Sequence, residues 1–174
     1  MTRNAYVDES QRDTGYVMAA VSVDHGSVAD VRRELALLAP KGAMRRHFVR
    51  ESDQAKRRML AVFGELPGVE VVAIRTGAIG TVIEQRSRTL RSLVALVQAG
   101  GLDRIVLDHV EPLQRSRDRR DISQVLRGSR TLYGHEPSHS TEPLLWIPDA
   151  IAWCIGRRDW RARIDPWVKV HEVV

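Results

Sequence analysis

Cysteine is almost missing from this chain: Cys154 stands alone among 174 residues, which excludes an intrachain disulfide and any zinc site built on several thiolates. Its apolar context, AIAWCIG, is that of a buried and inert thiol. Long apolar runs are lacking too. None approaches the roughly 18 residues of a membrane span, and the opening MTRNAYVDES has no basic segment followed by an apolar one. The expectation is a soluble, cytoplasmic protein with no membrane partner. Lysine is scarce: of 27 basic residues only Lys41, Lys56 and Lys169 are lysine, leaving 24 arginines to carry a net charge of +5. Such an excess attracts polyanions through phosphate contacts that ignore sequence, although an arginine bias this strong is also explained by genome base composition. No G-x-S-x-G elbow is present, which removes the main signature of a serine hydrolase.

What is present is enough apolar material, 43% of residues, for one core, and one domain spanning residues 1–174 is expected. Residues 3–9 and 14–23 are rich in β-branched and aromatic side chains and are separated by Ser-Gln-Arg-Asp-Thr-Gly, which reads as an antiparallel hairpin. Val28, Val31, Leu35 and Leu38 share one helical face before Pro40, and Met59, Leu60, Phe63 and Leu66 share another after Ser52. Residues 69–74, VEVVAI, form a continuous apolar strand. Residues 81–98 form a long amphipathic helix with a stripe of Leu90, Leu93, Val94 and Val97, ending at Gly100-Gly101. RIVLD, residues 104–108, is a strand of the kind buried on both faces of a sheet. The charge run 114–121, QRSRDRRD, reads as a solvated helix face or loop, and residues 131–143 read as a loop. A last helix is expected from Pro148 to about Arg158, followed by an irregular tail. Strands alternating with helices after a hairpin predict an α/β architecture, a mixed sheet with helices packed on it.

Two patterns mislead. HEPSH, His135 to His139, satisfies the H-E-x-x-H zinc-protease pattern, but that motif needs a continuous helix to bring both imidazoles to one metal. Pro137 and the surrounding Gly, Ser and Pro residues oppose one. Trp146, Trp153, Trp160 and Trp167 recur every seven residues, yet Pro148, Gly156 and Pro166 interrupt any coiled-coil seam; Trp146 and Trp153 read as core anchors.

The carboxylates are more informative. Strand alternation separates Asp8, on the face of Tyr6, from Glu9, on the face of Val7, so Asp8 is the better ligand. Asp108 closes the buried strand, where a charge is costly unless it reaches an edge or a cation and where α/β sheets bind ligands. Asp149 lies in the first turn of the last helix. Each has a bland reading, as turn residue, polar strand end or helix-dipole complement. Their order along the chain is what stands out: an acid on the first strand, an acid ending a later strand, an acid opening the last helix.

The segments AYVDES, YVMAAVSV, RRHFVRES (residues 45–52), IVLD and LLWIPDAIAW together resemble the bacterial family known as domain of unknown function 3800, whose members show a DESG-like start and a late ADxIA-like helix. Gln11 and Arg12 stand near the family's glycine, and Pro148 replaces its alanine. That family in turn resembles the ribonuclease H-like fold: a mixed sheet flanked by helices, opening with an antiparallel hairpin and holding divalent metal on carboxylates. The resemblance implies Asp8, Asp108 and Asp149 as ligands of Mg²⁺ or Mn²⁺, and a nuclease acting on RNA or DNA. His47 would move a proton, and Glu51 would share its face if that stretch is helical. Glu9, Glu51 and Glu84 are secondary acids, although Thr81-x-x-Glu84 is also a capping box. Arg115, Arg117, Arg119 and Arg120 would track phosphates. The competing expectation is a catalytically inactive nucleic-acid-binding or protein-interaction module on the same fold.

Overall fold

The computed structural model describes residues 3–39, 47–136 and 142–173. Strands β1 (Arg3–Arg12) and β2 (Gly15–Asp24) form the expected hairpin, but the ladder runs further than the sequence implies, leaving only Asp13 and Thr14 to turn. Gly15 makes this possible. Its φ is +134°, and a Cβ there would lie 1.8 Å from the Thr76 carbonyl oxygen of the neighbouring strand, so no other residue fits where the hairpin meets its partner.

Helices α1 (Val28–Ala36) and α2 (Asp53–Glu65) follow, then β3 (Val69–Gly77) and α3 (Val82–Ala99). Ser52 Oγ accepts from the Ala55 N–H to start α2, and a Thr81/Glu84 capping box starts α3. Strand β4 (Arg104–Leu107) leads into α4 (Pro112–Val125), which contains the whole charge run and begins with proline, whose missing N–H costs nothing in a first turn. Helix α5 (Trp146–Ile155) begins two residues before the expected Pro148, continuing from a 3₁₀ turn at Pro143–Leu145; the proline stays in the first turn and breaks no helical bond.

Two expectations need correction. Residues 131–143 are not all loop, because β5 (Leu132–His135) pairs in parallel with β4. The tail is not irregular: α6 (Arg158–Ile164) and β6 (Val168–Val173) follow, and β6 pairs in parallel with β3. Both are edge strands; LYGH is too short to carry a periodic signal, whereas Val168, Lys169, Val170 and His171 alternate apolar and polar as a half-exposed strand does.

The sheet runs β5-β4-β1-β2-β3-β6, with β1–β2 and β2–β3 antiparallel and β1–β4 parallel. It is the mixed α/β sheet, flanked by helices and opened by an antiparallel hairpin, that the sequence predicts. Nearly all of β2 is buried because helices cover both faces. On one face Ala5, Val7, Met18 and Ile105 pack under Leu90, Leu93 and Val94 of α3 and Ile122 of α4. On the other, Tyr6, Val17, Ala19 and Val106 pack under α1, α2, α5 and α6 through Leu35, Phe63, Ile147, Ile151 and Ile164. Truncating a fully buried leucine such as Leu93 to alanine costs about 2–5 kcal/mol.

The seven-residue tryptophan spacing does not make a coil. Trp146 is buried, while Trp153 on α5 and Trp160 on α6 meet edge to face at 5.4 Å across the joint between these helices. Cys154 is buried as expected, and burial pushes its thiol up to about 12. Among the described residues no helix is long and apolar enough to cross a membrane.

Candidate metal-binding acid cluster

The parallel pairing of β1 with β4 sets the first two acids side by side. Val7 is opposite Leu107 in the ladder, and the Asp108 N–H continues it by donating to the Val7 carbonyl at 3.0 Å. Val7 and Leu107 face the α3 side, whereas Tyr6 and Val106 face the α5 side. Alternation therefore turns Asp8 and Asp108 together toward α5, at the roughly 4.8 Å spacing of neighbouring strands. Both also border a small cavity of about 30 Å³ at the carboxyl ends of these strands, but Val7, Glu9, Leu107 and Arg86 of its lining belong to the α3 side, so it is not the space the two carboxylates share toward α5.

Helix α5 brings the third acid. Asp149 is in its first turn, and its charge, with that of Asp108, acts on Asp8 strongly enough to shift its titration. The Asp8 carboxyl is held well above the usual carboxylate range, first by loss of hydration among the surrounding protein groups, then by Asp149, then by Asp108. The three predicted aspartates thus belong to one electrostatic cluster drawn from three distant stretches of chain.

Each carboxylate is meanwhile turned onto a backbone N–H. Asp8 Oδ1 accepts from Glu9 at 2.7 Å, Asp108 Oδ1 from His109 at 2.8 Å, and Asp149 Oδ2 from Phe48 at 2.9 Å. Among the described residues no three His, Cys, Asp or Glu side chains stand in position to ligate one ion. Three carboxylates without a soft ligand nonetheless make a donor set suited to a hard divalent cation such as Mg²⁺ or Mn²⁺. The crowding at Asp8, where the strongest outside charges are other carboxylates, is the kind a cation relieves.

The remaining predicted residues are placed differently. His47 adjoins Phe48, whose N–H holds Asp149, so it lies beside the cluster. His47 and Glu51 are both extended and flank a single 3₁₀ turn, Phe48–Arg50, so the continuous helix that would align them is absent. Glu84 serves as a cap: its Oε2 accepts from the Thr81 N–H at 2.7 Å and the Thr81 hydroxyl at 2.9 Å, and these bonds hold the carboxyl below the usual range. Arg115 is half-buried with its guanidinium 3.3 Å from His109 Nδ1; Arg117 is half-buried, and Arg119 and Arg120 are exposed. His139 of the rejected zinc-protease motif lies outside the described residues, and His135 is in a strand, not a helix.

Glu9 lies on the opposite face, as alternation predicts, and there the sequence reading missed a buried polar network. Arg86 of α3 forms a fork to Glu9, at 3.1 and 2.6 Å, and also donates to Asp118 of α4. Asp118, fully buried, pairs with His135 Nε2 at 2.8 Å and accepts from Gln114 at 2.8 Å. Burial alone would raise Asp118, but the bond to His135 and the charge of Arg86 outweigh it and leave the carboxyl below its usual range. Burial disfavours the Arg86 charge, and Glu9 and Asp118 more than restore it. Burial and Glu9 raise the Tyr16 hydroxyl beside them. A signal existed: Asp118 is four residues before Ile122, and Arg86 four before Leu90, so both continue apolar stripes.

No protein-family model and no curated protein matches the chain. Among solved structures it is similar to ribonuclease H1 from the halophilic archaeon Halobacterium salinarum NRC-1, at 13% identity and a TM-score of 0.40, over 82% of this chain and 91% of that one.

Proposed function

We propose that this protein is a divalent-metal-dependent nuclease that hydrolyses phosphodiester bonds in RNA or DNA, with Asp8, Asp108 and Asp149 as the ligands of Mg²⁺ or Mn²⁺. The observation that carries the reading is the raised, carboxylate-crowded Asp8, with Asp108 beside it on the next strand and Asp149 brought over it by α5. A cation bound there would activate water and stabilise the oxygens of the displacement. The chain's own residues do the rest. The Phe48 N–H orients Asp149, His47 beside it offers an imidazole to hold a proton, and Arg115 against His109, followed by Arg117, Arg119 and Arg120 along α4, supplies positive charge to a phosphate backbone. Glu84 is assigned to its helix cap and not to the metal.

The test is cleavage of labelled RNA and DNA with Mn²⁺ or Mg²⁺ by the full chain and by Asp8→Asn. Wild type should cleave and the variant should lose at least a hundredfold in rate. Equal cleavage by both would place the activity elsewhere. The absence of a preformed ligand set among the described residues favours a second reading, an inactive nucleic-acid-binding module on the same fold; binding by both proteins with cleavage by neither would select it.

A further inference from the structure

Arg12 and Arg157 meet at the far end of α5 from Asp149. Arg12 Nη2 donates to the Trp153 carbonyl oxygen at 2.8 Å, and Arg157 Nη1 donates to the same oxygen at 3.3 Å. Two guanidinium groups therefore stand side by side, and neither is ion-paired with a carboxylate among the described residues. The Arg12 charge is disfavoured first by burial and then by Arg157. One carbonyl uses only a small part of the donors that two guanidiniums carry, and Arg12 Nε is buried with no hydrogen-bond partner.

The backbone makes room for this pairing. Gly156 follows α5, and a Cβ there would stand 2.8 Å from Arg12 Nε and 3.1 Å from its Cζ. Arg157 is fixed from the other side, its guanidinium carbon 3.9 Å from the centre of the Trp153 ring. A helix C-terminus accounts for one arginine through its partial negative charge. It does not account for two that repel each other.

We propose that Arg12 and Arg157 form a phosphate subsite for the nucleic-acid backbone, separate from the acid cluster. The choice of a nucleic-acid phosphate as ligand rests on the proposed function. Arg12 is four residues beyond Asp8 on β1, about 13 Å along a strand, and Arg157 follows the C-terminal end of α5, eight residues beyond Asp149 and so about 12 Å away by helical rise. The two spacings agree, so the pair would grip the strand more than one internucleotide step from the bond under attack. This subsite adds register and affinity, not chemistry.

The experiment is binding of short fluorescent single-stranded RNA and DNA to the full chain in EDTA, by anisotropy across a salt series. On single strands each neutralised phosphate contributes about 0.7 unit to the slope of log affinity against log salt. Arg12→Gln and Arg157→Gln should each lower the slope, and the double variant should lower it by about 0.7 unit. Arg157→Lys should retain most of it, and Gly156→Ala, which displaces Arg12 without removing charge, should lower it. Arg91→Gln, exposed on α3 over the opposite face of the sheet, should keep the full slope. Native circular dichroism and melting of Arg157→Gln, whose carbonyl contact is the longer one, guard against misfolding of Arg12→Gln. Wild-type affinity and slope in folded Arg157→Gln and Gly156→Ala would overturn the proposal, as would failure of wild type to bind. Loss of slope without metal-dependent cleavage would remove the nuclease reading and leave the subsite standing, whereas cleavage with an unchanged slope would do the reverse.

Discussion

Replacing Asp118 with asparagine probes the buried network most directly. Asp118 is fully buried and holds Arg86, His135 and Gln114. Removing one partner of a buried pair typically costs about 3–5 kcal/mol, because the other charge is left without compensation. Here Arg86 keeps its two bonds to Glu9, which places Asp118→Asn near the lower limit, at about 3 kcal/mol. For a chain of this length that corresponds to a fall in Tm of roughly 6–12 °C. The assay is urea and thermal unfolding followed by circular dichroism at pH 7 and at stepwise lower pH. Because the folded Asp118 carboxyl lies below its unfolded value, its stabilisation is fully present above the unfolded carboxylate range and is lost as pH falls through the folded value. The gap between wild type and variant must therefore narrow on acidification. A double replacement, Arg86→Met with Asp118→Leu, should be less damaging than Asp118→Asn, since both charges leave together and Glu9 is partly exposed to water. A loss below about 0.5 kcal/mol, or a gap that widens with acid, would refute the network's role.

Asp8 carries the opposite sign. Its folded value is raised, so metal-free protein should lose stability as pH rises from the unfolded carboxylate range through the folded value. Asp8→Asn should melt higher than wild type at neutral pH in EDTA, and Mn²⁺ should raise the Tm of wild type more than that of the variant. At the α3 cap, Thr81→Ala should cost about 1 kcal/mol by urea unfolding, while Glu84→Gln should leave Mn²⁺-dependent cleavage unchanged; a tenfold loss of cleavage would return Glu84 to the site. Lys56, almost fully buried, lies 4.7 Å from the centre of the Trp153 ring and 5.9 Å from those of Phe48 and Trp160. Lys56→Met should cost about 1–2 kcal/mol, read by unfolding monitored through tryptophan fluorescence, and an unchanged midpoint would argue against the cation's part in the cluster.

The candidate site was legible where one local rule applied. Period-two alternation separated Asp8 from Glu9 without reference to any other strand, and the Thr81-x-x-Glu84 spacing identified the cap correctly. For His47 and Glu51 the shared face depends on a helix, and a stretch of five residues carries too little periodicity to distinguish a helix from the single 3₁₀ turn found there. Asp118 was hidden in a charge run whose composition suggests solvent, although its position on the stripe of Ile122 pointed inward.

The sequence by itself determined the opening hairpin, the two faces of β1 and most element types as far as α5, β5 excepted, because these follow from the spacing of apolar residues, the caps and the turn chemistry within a few neighbours. Only the tertiary structure decided that α5 lies over β1, so that Asp149 charges Asp8 and Arg157 meets Arg12. It also decided that β5 and β6 complete the edges and that His135 closes on Asp118. Those pairings join residues more than a dozen and as many as 145 positions apart, and they depend on which sheet face each helix buries, a choice made by the whole core at once.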